Sequence, residues 1–193
     1  MNTYFYVVAA QNGLIRSFID LLRFVANPNE KRTAHITVRG PYTKKVNLSQ
    51  KSSEIVGQRI TITGADCFFS RSQSTVYLKC ESDALKKVWQ KKGYDYKPHI
   101  TIYDGKDRAF AESILNSLTK YNYRFIFTST YLIPLLICKG QLDIDLSIAA
   151  DFALLGRLLK REIDIDLLRS MSDSQRGVIF LELSSFLPHL SQQ

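Results

Sequence analysis

The tetrapeptide His-Ile-Thr followed by an aliphatic residue occurs twice in this chain, as His35-Ile36-Thr37-Val38 and His99-Ile100-Thr101-Ile102, 64 positions apart. Strict polar/apolar alternation is the period of a strand, because successive side chains of an extended backbone point to opposite faces. Each copy therefore predicts a short strand that shows an imidazole and a hydroxyl on one face and sends two aliphatic side chains into a core. The chain holds three histidines, so the repeat takes two of them. His189, beside Pro188, is given no role.

The segments around the repeat read as two similar α/β halves. Thr3 to Ala9 predicts a strand, and Ile15, Phe18, Leu21, Leu22 and Val25 recur at helical spacing behind Gly13. Residues 42–53 are polar and predict a mobile loop. Ile55 to Thr63 and Ser74 to Cys80 alternate as two antiparallel strands, and Ser82 is an N-cap for a helix through Trp89. Asp107 to Lys120 predicts a helix, followed by strands at Tyr123 to Phe127 and Tyr131 to Cys138. Beyond residue 139 the pattern turns helical: Ile148, Phe152, Leu155 and Leu159 share a face, and a second helix is expected from an Asp173 N-cap toward Phe186. The expected division is a body of residues 1–139 and a helical extension of residues 140–193.

Charge follows the same division. The body carries 21 basic and 10 acidic side chains, the extension 5 and 8, within a formal net charge of +8. A basic body raises the local concentration of phosphate-bearing partners without naming one. The three cysteines, at 67, 80 and 138, form no C-x-x-C pair. They are read as reduced core thiols of an intracellular, cytoplasmic protein. The apolar N-terminal stretch has no cationic residue before Arg16, unlike a secretory signal. The later run Tyr131 to Cys138, interrupted by Pro134, falls short of the ~20 residues a spanning helix needs, so no membrane association is expected.

Imidazole titrates near neutrality, at about 6.5 when unperturbed, so one copy suits a base and the other an acid. Two such groups fit cleavage at phosphorus. One deprotonates the attacking water or hydroxyl, the other protonates the leaving oxygen, and hydroxyls of Thr37 and Thr101 hold the non-bridging oxygens.

On these residues the body resembles the two-histidine (2H) phosphoesterase superfamily, which includes 2′-5′ RNA ligase-like proteins and cyclic phosphodiesterases. The resemblance implies an α+β, bilobal fold of two antiparallel sheets with flanking helices and a central cleft, without metal or other cofactor. It implies 2′,3′-cyclic phosphate or 2′-5′-linked substrates, so that the partners are RNA ends or small oligonucleotides. Carried over, His35 and His99 are catalytic, and Thr37 and Thr101 bind phosphate. Ligase-like members have a basic residue shortly after the second motif, where this chain has Tyr103-Asp104-Gly105; Arg39 follows the first motif instead. That departure leaves the substrate open.

Three further residues are candidates for substrate contact. Arg39 continues the strand phase of His35 and Thr37, and Tyr42 and Tyr103 lie just past the motifs, where aromatics can stack on a base. Neither motif contains a carboxylate to complete a three-ligand metal set. The repeated Asp-Ile-Asp-Leu at 143–146 and 164–167 reads as helix-start or surface aspartates. P-loop, G-x-S-x-G and G-x-G-x-x-G signatures are absent from the sequence. The leading expectation is a metal-independent phosphodiesterase. Its rivals are a non-catalytic module binding nucleotides or RNA ends, and an RNA ligase-like processing factor. The extension is expected to cap the cleft, dock a protein partner, self-associate or stabilise the body.

Overall fold

The structure, a computed structural model, describes residues 2–11, 13–30, 32–91, 93, 95–138, 141–143 and 151–190. In chain order the elements are β1 (Asn2–Ala9), α1 (Leu14–Ala26), β2 (His35–Tyr42), α2 (Ser49–Ile55), β3 (Arg59–Phe69), β4 (Ser74–Glu81), α3 (Asp83–Val88), β5 (Gln90–Lys91), β6 (His99–Gly105), α4 (Arg108–Thr119), β7 (Phe125–Thr128), β8 (Ile133–Cys138), β9 (Gln141–Asp143), α5 (Phe152–Leu159), α6 (Ile165–Ser170), α7 (Asp173–Ser184) and α8 (Leu187–Leu190).

The fold is α+β around an antiparallel, curled sheet. The described strands hydrogen-bond in the order β7-β3-β4-β6-β2-β1-β8-β9, with the short β5 added in parallel to β2. The expected two sheets are thus two wings of one. The wings meet where β2 and β6 pair through Ile36 and Ile100. Beyond that pair β5 takes over the edge of β2, at Arg39 and Gly40, so the two strands part company soon after they touch.

One face of the sheet carries the core. Ile36, Val38, Ile60, Ile62, Val76, Leu78, Ile100 and Ile102 are buried there with the apolar side chains of α1 and α4. Helix α1 is buried from Phe18 to Ala26, because α7 covers the side that the sheet does not. Ile179, Phe180 and Leu183 of α7, Leu154 and Leu155 of α5, Leu168 of α6 and Leu187 of α8 belong to the same apolar cluster. The helices of 151–190 therefore form an outer layer on the helical face, and among the described residues they do not cap the histidine-bearing face. Ile148 lies outside the described residues.

Local signals set several boundaries. Ser82, Asp107, Asp151 and Asp164 each accept a backbone N–H at a helix start, so Asp164 is a cap, as its helix-start reading required. At α7 the cap is Ser172, locked with Gln175 in a capping box, and Asp173 is the first helical residue. The expected loop at 42–53 is partly helix. Ser49–Ile55 is anchored by the fully buried Ile55 and by Ser52, whose hydroxyl accepts the N–H of Leu132 at 2.9 Å. Strand β3 runs through Gly64, where the pairing with β4 shifts register; the chain turns at 70–73. Cys80 is buried and Cys67 half-buried, both as free thiols; the side chain of Cys138 lies outside what is described. No helix of the described residues is long and apolar enough to cross a membrane.

Candidate active site

The two motifs fold alike. In each, the histidine and threonine are half-buried and the residues flanking them are buried, as alternation demands. Ile36 and Ile100 are partners in an antiparallel pair. That register sets Thr101 beside His35 and Thr37 beside His99, with the two histidines as diagonal neighbours about 7–8 Å apart at the backbone. The β2 motif faces away from α1 and α4, since the β1 partners of His35 and Thr37, Ala9 and Val7, alternate with the core residues Val8 and Tyr6. His99 and Thr101 take the same face because they alternate with the core residues Ile100 and Ile102, of which Ile100 is the partner of Ile36. Val7 instead joins Phe5, Ile133 and Leu135 in a small apolar cluster on the histidine face.

Each imidazole is held in the same way. His35 Nδ1 lies 2.8 Å from the carbonyl oxygen of Thr33, and His99 Nδ1 lies 2.7 Å from that of Lys97. A carbonyl can only accept, so each Nδ1 carries the proton and each neutral ring presents its lone pair at Nε2. Burial lowers both titrations. For His35 the burial is reinforced by the cations Arg23 and Arg32, and its pKa falls to about 4. For His99, burial comes first and Lys91 adds to it. Both rings are thus neutral at pH 7 in the ligand-free protein.

Around His99 stands an aromatic wall that was not anticipated. Tyr77 is Cα partner to Thr101, and its ring centroid lies 4.8 Å from that of His99. Phe68 stacks on Tyr77 at 4.4 Å and meets His99 edge-on at 5.5 Å. The Tyr77 hydroxyl donates to the Asp66 carboxylate, and burial raises its pKa to about 12. Phe68 is 40% exposed, so its outer face is open. Lys79 is Cα partner to His99. These residues were missed because they come together through the β3-β4-β6 register; the only local hint is the alternation Tyr77-Leu78-Lys79.

The three further candidates lie elsewhere. Arg39 does not continue the phase of His35 and Thr37. A register shift in the β1–β2 pair sets Thr37 against Val7 but Arg39 against Tyr6, and Tyr6 belongs to the helical core. Such a bulge inserts one residue and turns the next side chain to the other face. The Arg39 guanidinium is spent on the Val88 carbonyl at 2.7 Å and Gln90 Oε1 at 2.7 Å. Tyr42 packs edge-on against Tyr6 on that same side. Tyr103 is 8% exposed and meets Phe110 edge-on at 5.3 Å in the core, because β6 shifts register between Thr101 and Tyr103. None of the three shares the face of the histidines.

Among the described residues no group of three or more His, Cys, Asp or Glu side chains is placed to hold a metal ion. No protein-family model, curated protein or solved structure matches the chain.

Proposed function

We propose that this chain is a metal-independent phosphodiesterase of the two-histidine kind, opening RNA-type phosphoesters such as a 2′,3′-cyclic phosphate or a 2′-5′ linkage. The observation that carries the reading is the matched anchoring of His35 and His99: two half-buried imidazoles, each with Nδ1 tied to a backbone carbonyl and Nε2 left to move a proton. The bilobal cleft of that family is the finer reading of the two wings that meet at Ile36 and Ile100.

The chemistry follows from what the groups can do. One Nε2 takes a proton from water as its oxygen bonds to phosphorus. The ester oxygen on the opposite side leaves and takes a proton from the other, protonated ring. Thr37 and Thr101 donate their hydroxyls to the non-bridging oxygens, where charge builds in the transition state. The depressed titrations place a demand on the substrate: a bound phosphate diester supplies the negative charge that lets one ring hold its proton. Phe68, open beside His99, offers a face on which a base can stack, which favours a nucleotide over a simple phosphate ester.

The test is turnover of 2′,3′-cyclic mononucleotides and 2′-5′ dinucleotides in the presence of EDTA, by the native protein and by His35→Ala and His99→Ala. Activity that EDTA abolishes and added metal restores would sink the mechanism. A second reading, a binding module without turnover, is favoured by one feature, the burial of both rings, which lowers their titrations and disfavours the protonated ring that an acid must supply. Tight binding of a cyclic nucleotide with no product after long incubation would support it.

A further inference from the structure

Behind His35 lies a buried carboxylate that the catalytic reading does not use. Asp20, on α1, is fully buried. Its Oδ2 accepts the Thr33 hydroxyl at 2.6 Å and its Oδ1 accepts the Ala34 N–H at 2.6 Å. These are short, charge-assisted bonds in a buried setting, where each is stronger than its counterpart in water. Both land on the two residues that precede His35. The carbonyl of the first of them, Thr33, is the acceptor that holds His35 Nδ1 at 2.8 Å.

Neighbouring charges complete the clamp. Arg16 donates Nε to the Thr33 hydroxyl at 3.1 Å and lies 3.9 Å from Asp20 Oδ2. Arg23 donates to the Arg32 carbonyl at 2.6 Å and pairs with Glu30 at 3.1 Å. The loop from α1 to β2 is thus tied to the helix on both sides of residue 31. The carbonyl that holds His99 is backed differently. Its carbonyl partner belongs to the exposed Lys97, and the adjacent Pro98 carbonyl accepts the Cys80 N–H at 3.0 Å from the strand next door.

We infer that Asp20 is a positioning residue for His35: by gripping Thr33 and Ala34 it aims the Thr33 carbonyl at Nδ1, which selects the ring tautomer that leaves Nε2 free to accept a proton. The catalytic part of this role rests on the two-histidine reading, and the tautomer on geometry alone. The clamp also separates the histidines. His35, held from the core, is built to present a fixed lone pair and takes the part of the base; His99, tethered from an exposed residue beside the aromatic wall, takes that of the acid.

The test pairs ring ¹⁵N NMR of the two histidines with steady-state kinetics on a 2′,3′-cyclic mononucleotide, in the native protein, Asp20→Asn and Thr33→Val. The expected native spectrum shows His35 as a single Nδ1–H tautomer. In both variants the Nε2–H form should appear at His35 and not at His99, and kcat should fall about 10–100-fold with KM within about twofold, as for misplacement of a reacting group. Folded variants that keep the His35 tautomer and kcat would overturn the inference. Thr33→Val keeps the buried volume, so it decides the matter if Asp20→Asn does not fold. Should the native protein turn over no phosphoester, the functional reading fails, and the tautomer then decides alone whether Asp20 holds His35.

Discussion

Ile36 and Ile100 face each other across β2 and β6, and theirs is the registered pair that joins the two wings of the sheet. Both are essentially fully buried, so the apolar half of each motif welds the wings while the polar half faces outward between them. Truncating Ile100 or Ile102 to alanine removes a buried side chain of the same size, at a cost of about 2–5 kcal/mol in either case. The two should differ in activity. Ile100→Ala loosens the junction itself, so its turnover per folded molecule, with the folded fraction measured by urea titration, should drop further than that of Ile102→Ala. Equal losses would mean that the junction does not set the geometry of the histidines.

If His35 and His99 work as a pair, removing either disables the same step. Each single alanine variant should lose roughly 10²–10⁴-fold in kcat. The double variant should be little worse than the poorer single, since residues acting as a unit are far from additive. Losses that multiply in the double variant would show two independent contributions, and an unaffected His99→Ala would remove the acid from the scheme.

The low titration of His35 links stability to pH. In the unfolded chain its pKa is the ordinary one of about 6.5, and in the folded protein it is about 4. Between those values the unfolded state binds the extra proton, so stability falls as pH falls through this window, and the contribution is fully present only above about 6.5. Each pH unit separating the two titrations is worth about 1.4 kcal/mol, which solvent screening of the half-buried ring reduces to a total on the order of 2–3 kcal/mol. Urea midpoints of the native protein should therefore drop more between pH 7 and pH 4.5 than those of His35→Gln. Parallel pH dependences in the two proteins would contradict the depressed titration.

What the chain shows of itself depends on how local each signal is. The His-Ile-Thr strands were legible because alternation over four residues needs no partner strand, and the cap at Ser82 because a cap acts within one turn. Arg39 was misplaced because a bulge is a property of two strands: nothing in Thr37-Val38-Arg39 says that Val7 and Tyr6 will oppose Thr37 and Arg39 as neighbours. Phe68 and Tyr77 stayed hidden for the same reason, since their meeting with His99 depends on the order β3-β4-β6. Helix α2 escaped notice because a single buried residue, Ile55, anchors an otherwise polar segment.

The corrected place of Arg39 has a consequence opposite to the expected one. Its guanidinium donates to the Val88 carbonyl and to Gln90 within the protein, so Arg39→Met should destabilise the fold by about 1–3 kcal/mol, the cost of leaving a buried acceptor unmet. It should leave KM for a cyclic nucleotide near the native value. A tenfold rise in KM with unchanged stability would return Arg39 to the phosphate.

Phe68 should act on KM where Arg39 does not. It is one of the more exposed large apolar residues among those described, at 40%, and without it Tyr77 keeps its tilted contact with His99 and the bond to Asp66. Phe68→Ala removes a side chain that is more than half covered by its stack on Tyr77, so it should cost about 1–3 kcal/mol of stability, read separately by urea titration. If a base stacks on its open face, the substitution loses about 1–3 kcal/mol of binding, seen as a rise of about 5- to 150-fold in KM for nucleotides with kcat nearly kept. The effect should follow the base: a purine should lose more than a pyrimidine, and a phosphodiester without a base should lose nothing. A uniform loss across all three would place the role of Phe68 in holding His99 instead of in holding the substrate.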